Sequence, residues 1–274
     1  MSIIQALILG IVQGVTEFLP ISSSGHLVIA PWLFGWGLEP QSAFVFNVLV
    51  QLGTMLAVIA YFFKDLARML SITRRSIMEG TVLQNTESRF VLFVMLSTVP
   101  AVLAGLLLKP YVENAFSNPI AVAIFLMITA VIMFVSERLN TKRKELTELT
   151  MADSIWIGVF QIFALFPGIS RSGVTISAGL GRRLKREDAA RFSFLMALPI
   201  MLGAGAIALV DLFSLPEITS QIAPLVTGFL TSALVGYFSI NWFLSFLVRR
   251  GLNFFSVYCL LAGIGVLLAD QIRG

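Results

Sequence analysis

Along this chain, long runs without a single charge alternate with short segments in which Lys and Arg collect. Six of the runs are long enough to cross a hydrocarbon core of about 30 Å as helices. They are Phe44 to Phe63, Phe90 to Leu108, Ala115 to Ser136, Phe192 to Val210, Ile218 to Val248 and Leu252 to Ala269. Two further apolar stretches, Ser2 to Leu38 and Ser154 to Leu180, are interrupted by Pro, Gly and Ser, and each holds one charged group, Glu17 or Arg171. An arm of ~12 to 14 residues rises only about 20 Å, so each stretch is expected to enter the membrane, turn near its middle and return. The turns are "EFLPISSSGH" and "LFPGISRSGVT". Pro20 and the Pro167-Gly168 pair are expected to break the incoming helices, and the serines to cap the outgoing ones.

The two interrupted stretches resemble each other. At a fixed offset of 148 residues, Gly10 matches Gly158, Gln13 matches Gln161, Phe18 matches Phe166 and Ile21 matches Ile169. Ser22, Ser24 and Gly25 match Ser170, Ser172 and Gly173, and farther on Phe44 and Phe46 match Phe192 and Phe194. This spacing predicts an internal duplication, with a first repeat over 1–137, a cytoplasmic linker over 138–153 and a second repeat over 154–274.

Composition sharpens the class. Only 12% of residues are charged, 57% are hydrophobic and the mean hydropathy is +0.91, far from a soluble domain. The basic residues sit in short loops between spans, which excludes a nucleic-acid partner. The start of the chain lacks a basic segment and a small-residue cleavage site, so it reads as mature protein. The one cysteine, Cys259, leaves no internal disulfide and reads as a packing residue.

Charge also sets orientation. The segments Lys64 to Arg89, Arg138 to Lys144, Arg182 to Arg191 and Arg249-Arg250 hold 16 of the 19 Lys and Arg, and all four should be cytoplasmic. A full crossing by Ser154 to Leu180 would put the Arg182 cluster outside, so that stretch must return. Both termini and the Pro31 to Ala43 loop fall outside, and Ser2 to Leu38 enters from the opposite face. Each half then has one re-entrant helix pair and three spans. The predicted fold is an all-α polytopic membrane protein with an inverted-topology repeat.

Two outgoing helices would point their N-termini into one cavity, which favours an anion. Arg171, a guanidinium at membrane depth, suits bidentate contact with phosphate; the structural alternative is satisfaction by Glu17 or helix carbonyls. Gln13 and Glu17 share one helix face and could hold Mg²⁺ or Ca²⁺ with substrate oxygens, unless Glu17 only pairs with Arg171. His26 follows Ser23 by three residues, a spacing that allows a hydroxyl nucleophile and its base. Ser22, Ser24, Ser170, Ser172 and Thr175 read as phosphate-binding hydroxyls or as caps and packing groups.

"QGVTEFLPISSSGH" with "FPGISRSGVT", and "FNVLVQLGTMLAV" between them, resembles the paired motifs of the bacterial undecaprenyl-diphosphate phosphatase family, also called the bacitracin-resistance family. The resemblance implies hydrolysis of undecaprenyl diphosphate to the monophosphate and phosphate, metal dependence, and a site open to the outer face of the bacterial cytoplasmic membrane. It also implies recycling of a lipid carrier for cell-wall synthesis and resistance to bacitracin. By motif position, Gln13 and Glu17 form the E/Q-x-x-x-E pair, Ser23 and His26 are the nucleophile and its partner, and Ser170, Arg171 and Thr175 hold phosphate. This chain departs from the family pattern at Gln13, where many members carry Glu, and at Cys259, where an Arg follows the Tyr.

The expected catalytic set is therefore Glu17, Ser23, His26 and Arg171, with Ser23 attacking and His26 moving the proton, or His26 attacking directly. The expected partner is a polyprenyl diphosphate, and the protein partner this reading admits is a second copy of the chain. A single histidine excludes the two-histidine mechanism of the other common lipid phosphatases. The rival function is an inverted-repeat transporter or flippase of a lipid phosphate.

Overall fold

The computed structural model describes residues 1–116, 118–139, 144–212 and 218–273. Among them the chain forms eleven α-helices, a 3-10 turn over Leu146–Glu148 and one isolated parallel bridge between Lys144 and Leu184. Two short helices open the chain, α1 (Ile3–Thr16) and α2 (Ser23–Phe34). They are followed by α3 (Pro40–Tyr61), α4 (Phe63–Glu79), α5 (Thr86–Phe116) and α6 (Pro119–Leu139). A second short pair, α7 (Met151–Phe163) and α8 (Arg171–Gly181), precedes α9 (Arg186–Leu212), α10 (Ile218–Arg250) and α11 (Asn253–Arg273).

All six predicted spans overlap helices long and apolar enough to cross a membrane, in α3, α5, α6, α9, α10 and α11, but the one expected from Ala115 starts only at Pro119, because α5 runs on to Phe116. The short helices match the two predicted pairs. α1 ends four residues before Pro20 and α7 four residues before Pro167. Proline restricts the residue before it as well, so each helix stops ahead of the ring. Lys64 to Arg89, expected as a loop, is mostly the helix α4. Of the predicted linker over 138–153, residues 140–143 lie outside the described residues.

Within lipid, packing rather than water exclusion holds helices together, so small residues allow close approach. α1 lies against α10 through Gly10 and Gly14: a methyl added at Gly10 would come within 2.9 Å of the Gly228 carbonyl oxygen. α7 lies against α5 in the same manner, and a methyl at Gly158 would meet the Ser97 carbonyl at 2.3 Å. A chain of rings runs through the core. Phe18 meets Phe194 edge-on at 5.2 Å, Phe194 meets Phe243 at 6.0 Å, and Phe243 meets Phe255 at 5.5 Å. Phe18 thereby fixes the first turn against α9, α10 and α11.

Polar bonds gather the basic segments. Glu137, at the end of α6, accepts from Arg186 and from the Leu252 amide, joining the starts of α9 and α11. Arg191 donates to Asp65 of α4 at 2.7 Å, and Arg89 donates to the Thr147 carbonyl. Buried Asp153 in the first turn of α7 takes both Lys144 and Arg182, the residue that follows α8. At the other end of α11, Arg273 donates to the Trp32 and Leu33 carbonyls and lies over the Trp32 ring.

Candidate active site

α1 closes with Glu17 still bonded through its amide to the Gln13 carbonyl, so the side chains of Gln13 and Glu17 stack one turn apart. Gln13 Nε2 donates to Glu17 Oε2 at 2.9 Å and to Thr54 Oγ1 of α3 at 3.3 Å. Gln13 and Glu17 are both buried. Ser22 then caps α2 from a left-handed backbone, φ +71°. Its hydroxyl accepts from the Gly25 amide at 3.2 Å and from the Gly168 amide of the second turn at 3.1 Å. A non-glycine residue held there costs about 1–3 kcal/mol and persists where the surroundings over-determine it; here two N–H donors from different turns do so.

The second turn is built alike. Ser170 caps α8 and accepts from the Gly173 amide at 3.1 Å, as Ser22 does from Gly25. Ser24 lies 3.4 Å from Ser22, and Ser172 lies 3.2 Å from Ser170. Thr129 of α6 braces this turn, accepting from the Ser170 amide and donating to the Gly168 carbonyl. Ser172 in turn donates to the Leu19 carbonyl, so the turns are stitched from both sides.

Glu17 is the meeting point. Its Oε2 accepts from Ser23 Oγ at 2.6 Å, and its Oε1 accepts from Arg171 at 2.8 Å. The other guanidinium arm donates to the Ser193 carbonyl of α9 at 2.9 Å. Thr175 donates to the Arg171 carbonyl and shares a 2.7 Å contact with the Ser193 hydroxyl. Ser22, Ser170, Ser172 and Thr175 are buried, whereas Ser23, Ser24, His26 and Arg171 are half-buried and retain a reachable face. Two charges removed from water are held only with good geometry and further bonds, and both partners here have them.

His26 stands apart from Ser23. Its Nδ1 lies 2.8 Å from the Ser22 carbonyl, which can only accept, so Nδ1 carries the hydrogen. Nε2 then receives the Tyr258 hydroxyl at 2.8 Å, with the rings stacked at 5.8 Å. The three-residue spacing puts Ser23 and His26 on one side of α2, yet the serine donates to Glu17. Three contributors escaped the sequence reading: Tyr258 on α11, Ser193 on α9 and Thr54 on α3. Tyr258 is 232 residues from His26, and nothing local marks it; Thr54 and Ser193 look like ordinary hydroxyls in spans.

Side chains that could hold a cation are few. Among the described residues no group of three or more His, Cys, Asp or Glu gathers. Gln13 Oε1 is buried without a hydrogen-bond partner. So is Gln161 Oε1, and what distinguishes Gln13 is the carboxylate one turn away, where the second half has Leu165.

The family model for the bacitracin resistance protein BacA matches residues 6–265. An undecaprenyl-diphosphatase of Pelotomaculum thermopropionicum is 41% identical over 275 residues, covering 100% of this chain and 98% of that protein. Another, of Pelobacter propionicus, is 40% identical, covering 96% of this chain and 95% of its own length. A third, of Methanobrevibacter smithii, is 38% identical with 98% of both chains covered. A family match over nearly the full length, with relatives this similar end to end, means that the chain belongs to the bacitracin resistance protein BacA family.

Proposed function

We propose that this protein is a membrane phosphatase that hydrolyses undecaprenyl diphosphate to the monophosphate and inorganic phosphate. The activity returns a lipid carrier to cell-wall synthesis in the bacterial cytoplasmic membrane and confers bacitracin resistance. The observation that carries the reading is the Glu17 carboxylate, which receives a hydroxyl from one turn and a guanidinium from the other. A transporter has no need of a serine hydroxyl delivered onto a carboxylate.

The chemistry follows from these bonds. The terminal phosphate binds between the serine-capped N-termini of α2 and α8, and Arg171 turns its fork from Glu17 to the phosphate oxygens. Ser23 Oγ attacks the terminal phosphorus while its proton passes to Glu17, and the bond to the bridging oxygen breaks, releasing the lipid monophosphate. Water then attacks the phosphoserine as the Tyr258 hydroxyl moves off Nε2 of His26, which takes the water's proton and passes it to the departing phosphate. Ser23 takes its proton back from Glu17 as phosphate leaves. Tyr258 is a positioning residue: it holds the imidazole in the tautomer whose Nε2 can accept. A divalent cation, Mg²⁺ or Ca²⁺, would be held by Gln13 Oε1 and Glu17 together with substrate oxygens. When bound, it supplies positive charge for the transferring phosphoryl group.

The inverted-topology repeat is part of the same proposal. What supports it is reciprocity: α1 packs on α10 of the other half and α7 on α5 of the other half, each through the matched Gly10 or Gly158. The α2 end is tied to the chain's final turn by Arg273, while the α7 and α8 pair is tied by Asp153 and Arg182 to the basic segments. Those are opposite ends of α11, so the pairs enter from opposite faces, with the termini external.

The test is phosphate release by purified protein from a polyprenyl diphosphate, with and without a chelator. Release that chelator suppresses and Mg²⁺ or Ca²⁺ restores is expected. A protein that binds the lipid but frees no phosphate under any cation would overturn the reading.

A further inference from the structure

α4 follows α3 with only Phe62 between them, so it begins where a span ends. It is the most strongly amphipathic of the described helices, and at about 100° per residue its surface divides into three faces. Met69 and Ser76 are buried against the protein. Lys64, Arg68, Arg75 and Glu79 form a charged face. Between them lie Phe63, Leu70 and Ile77, seven residues apart, with Met78 beside them, and these are 63%, 62%, 64% and 78% exposed.

Neither bulk phase suits this helix. In water it would leave four large apolar side chains uncovered; in hydrocarbon it would strand Lys64, Arg68 and Arg75. Lying along the membrane surface it serves both, with the apolar face sunk into the boundary and the charges above it. The buried face is already taken: Met69 and Ser76 pack against the protein, and Asp65 beside them receives Arg191 of α9. The angular position of Arg74 puts it inside the exposed apolar face, between Phe63 and Met78. Neither Arg74 nor Lys64 forms an ion pair among the described residues. A cation whose stem runs along apolar surface and whose head lies at headgroup level calls for an anion there. A second copy of the chain is a poorer occupant, because pairing this face with itself sets Arg74 and Lys64 against like charges.

We propose that α4 is a docking helix for anionic phospholipid, with Phe63, Leu70 and Ile77 inserted between lipids and Lys64 and Arg74 on headgroup phosphates. The interaction is separate from the catalytic turns and binds lipid as surface, not as substrate.

The experiment places a fluorophore on Ile77→Cys, and in parallel on Met78→Cys and Arg75→Cys, in a Cys259→Ser background. The proteins are reconstituted into vesicles of phosphatidylcholine with or without phosphatidylglycerol. Nitroxide lipids labelled near the headgroup should quench positions 77 and 78, and aqueous acrylamide should quench position 75. Adding Arg74→Gln should lower the ratio of docked to undocked helix in phosphatidylglycerol vesicles about fivefold. Equal acrylamide access at all three positions overturns the proposal. So does lipid quenching that ignores both phosphatidylglycerol and Arg74→Gln. Protection from acrylamide without lipid quenching means that protein covers the face, and overturns it as well.

Discussion

The two turns at the centre of this protein have the same skeleton and different chemistry. In each, a serine caps the outgoing helix, its hydroxyl accepts from the glycine three residues on, and a second serine stands beside it. The positions that differ are the ones to which the proposed mechanism assigns the chemistry. Ser23 is matched by Arg171, Glu17 by Leu165 and His26 by Val174. The common part, two helix N-termini with small hydroxyls, is a general anion cradle. In the proposed mechanism the first turn provides the groups that make and break bonds, and the second provides the fixed positive charge. Glu17 joins the two, since a carboxylate accepts from both a hydroxyl and a guanidinium.

The sharpest way to break this division is to remove the groups of the first turn. Glu17→Gln keeps the size and takes the base from Ser23, so turnover should fall by roughly 10³-fold, within the range of a lost general base. Ser23→Ala should cost as much or more, with lipid binding retained. Kinetics on reconstituted protein check both. Measurable turnover in Ser23→Ala, with a phosphohistidine trapped under acid-free conditions, would move the nucleophile to His26.

The second turn should respond to shape rather than to proton transfer. Arg171→Lys keeps the charge and loses the fork, so kcat/KM should fall more than tenfold, about 1.4 kcal/mol or more of transition-state stabilisation. Near-normal turnover would make Arg171 a structural partner of Glu17 and Ser193. A milder effect is expected at Tyr258, which acts through His26. Tyr258→Phe removes one hydrogen bond, worth about 1 kcal/mol, and should lower kcat roughly fivefold with KM little changed; an equal rise in KM would point to a packing role instead.

Much of this was legible in the sequence because the membrane imposes strict rules. Runs without charge mark spans, and serine after a broken helix marks a cap, so both turns and all six spanning helices were legible, while the boundary between α5 and α6 was not: Ala115, expected to open a span, lies in the last turn of α5. A single Arg and a single Glu at membrane depth were conspicuous for the same reason. Contacts across the fold were not legible. Ser23 and His26 are close in sequence, and that spacing suggested a pair; the fold instead brings Glu17 to the serine and Tyr258, from the last helix, to the histidine. α4 was missed because its charges made a short segment look like a loop, although heptad-spaced Phe63, Leu70 and Ile77 were there to be read.

The smallest effects should separate the two caps themselves. Ser22 and Ser170 occupy equivalent positions, but Ser22 accepts from two amides, Gly25 and Gly168, whereas Ser170 accepts from Gly173 alone. Ser22 is also held at φ +71°, while Ser170 is at −73°. Ser170→Ala should cost about 1 kcal/mol, the usual value of a lost cap. Ser22→Ala leaves two buried donors unpaired and keeps a methyl-bearing residue in the left-handed region, so its cost should be about 2 kcal/mol or more. Thermal unfolding of the two variants in the same lipid should therefore rank Ser22→Ala as the less stable. Equal losses would mean that the Gly168 amide finds another acceptor once the Ser22 hydroxyl is gone, and that the turns are stitched mainly through Ser172 and the Leu19 carbonyl.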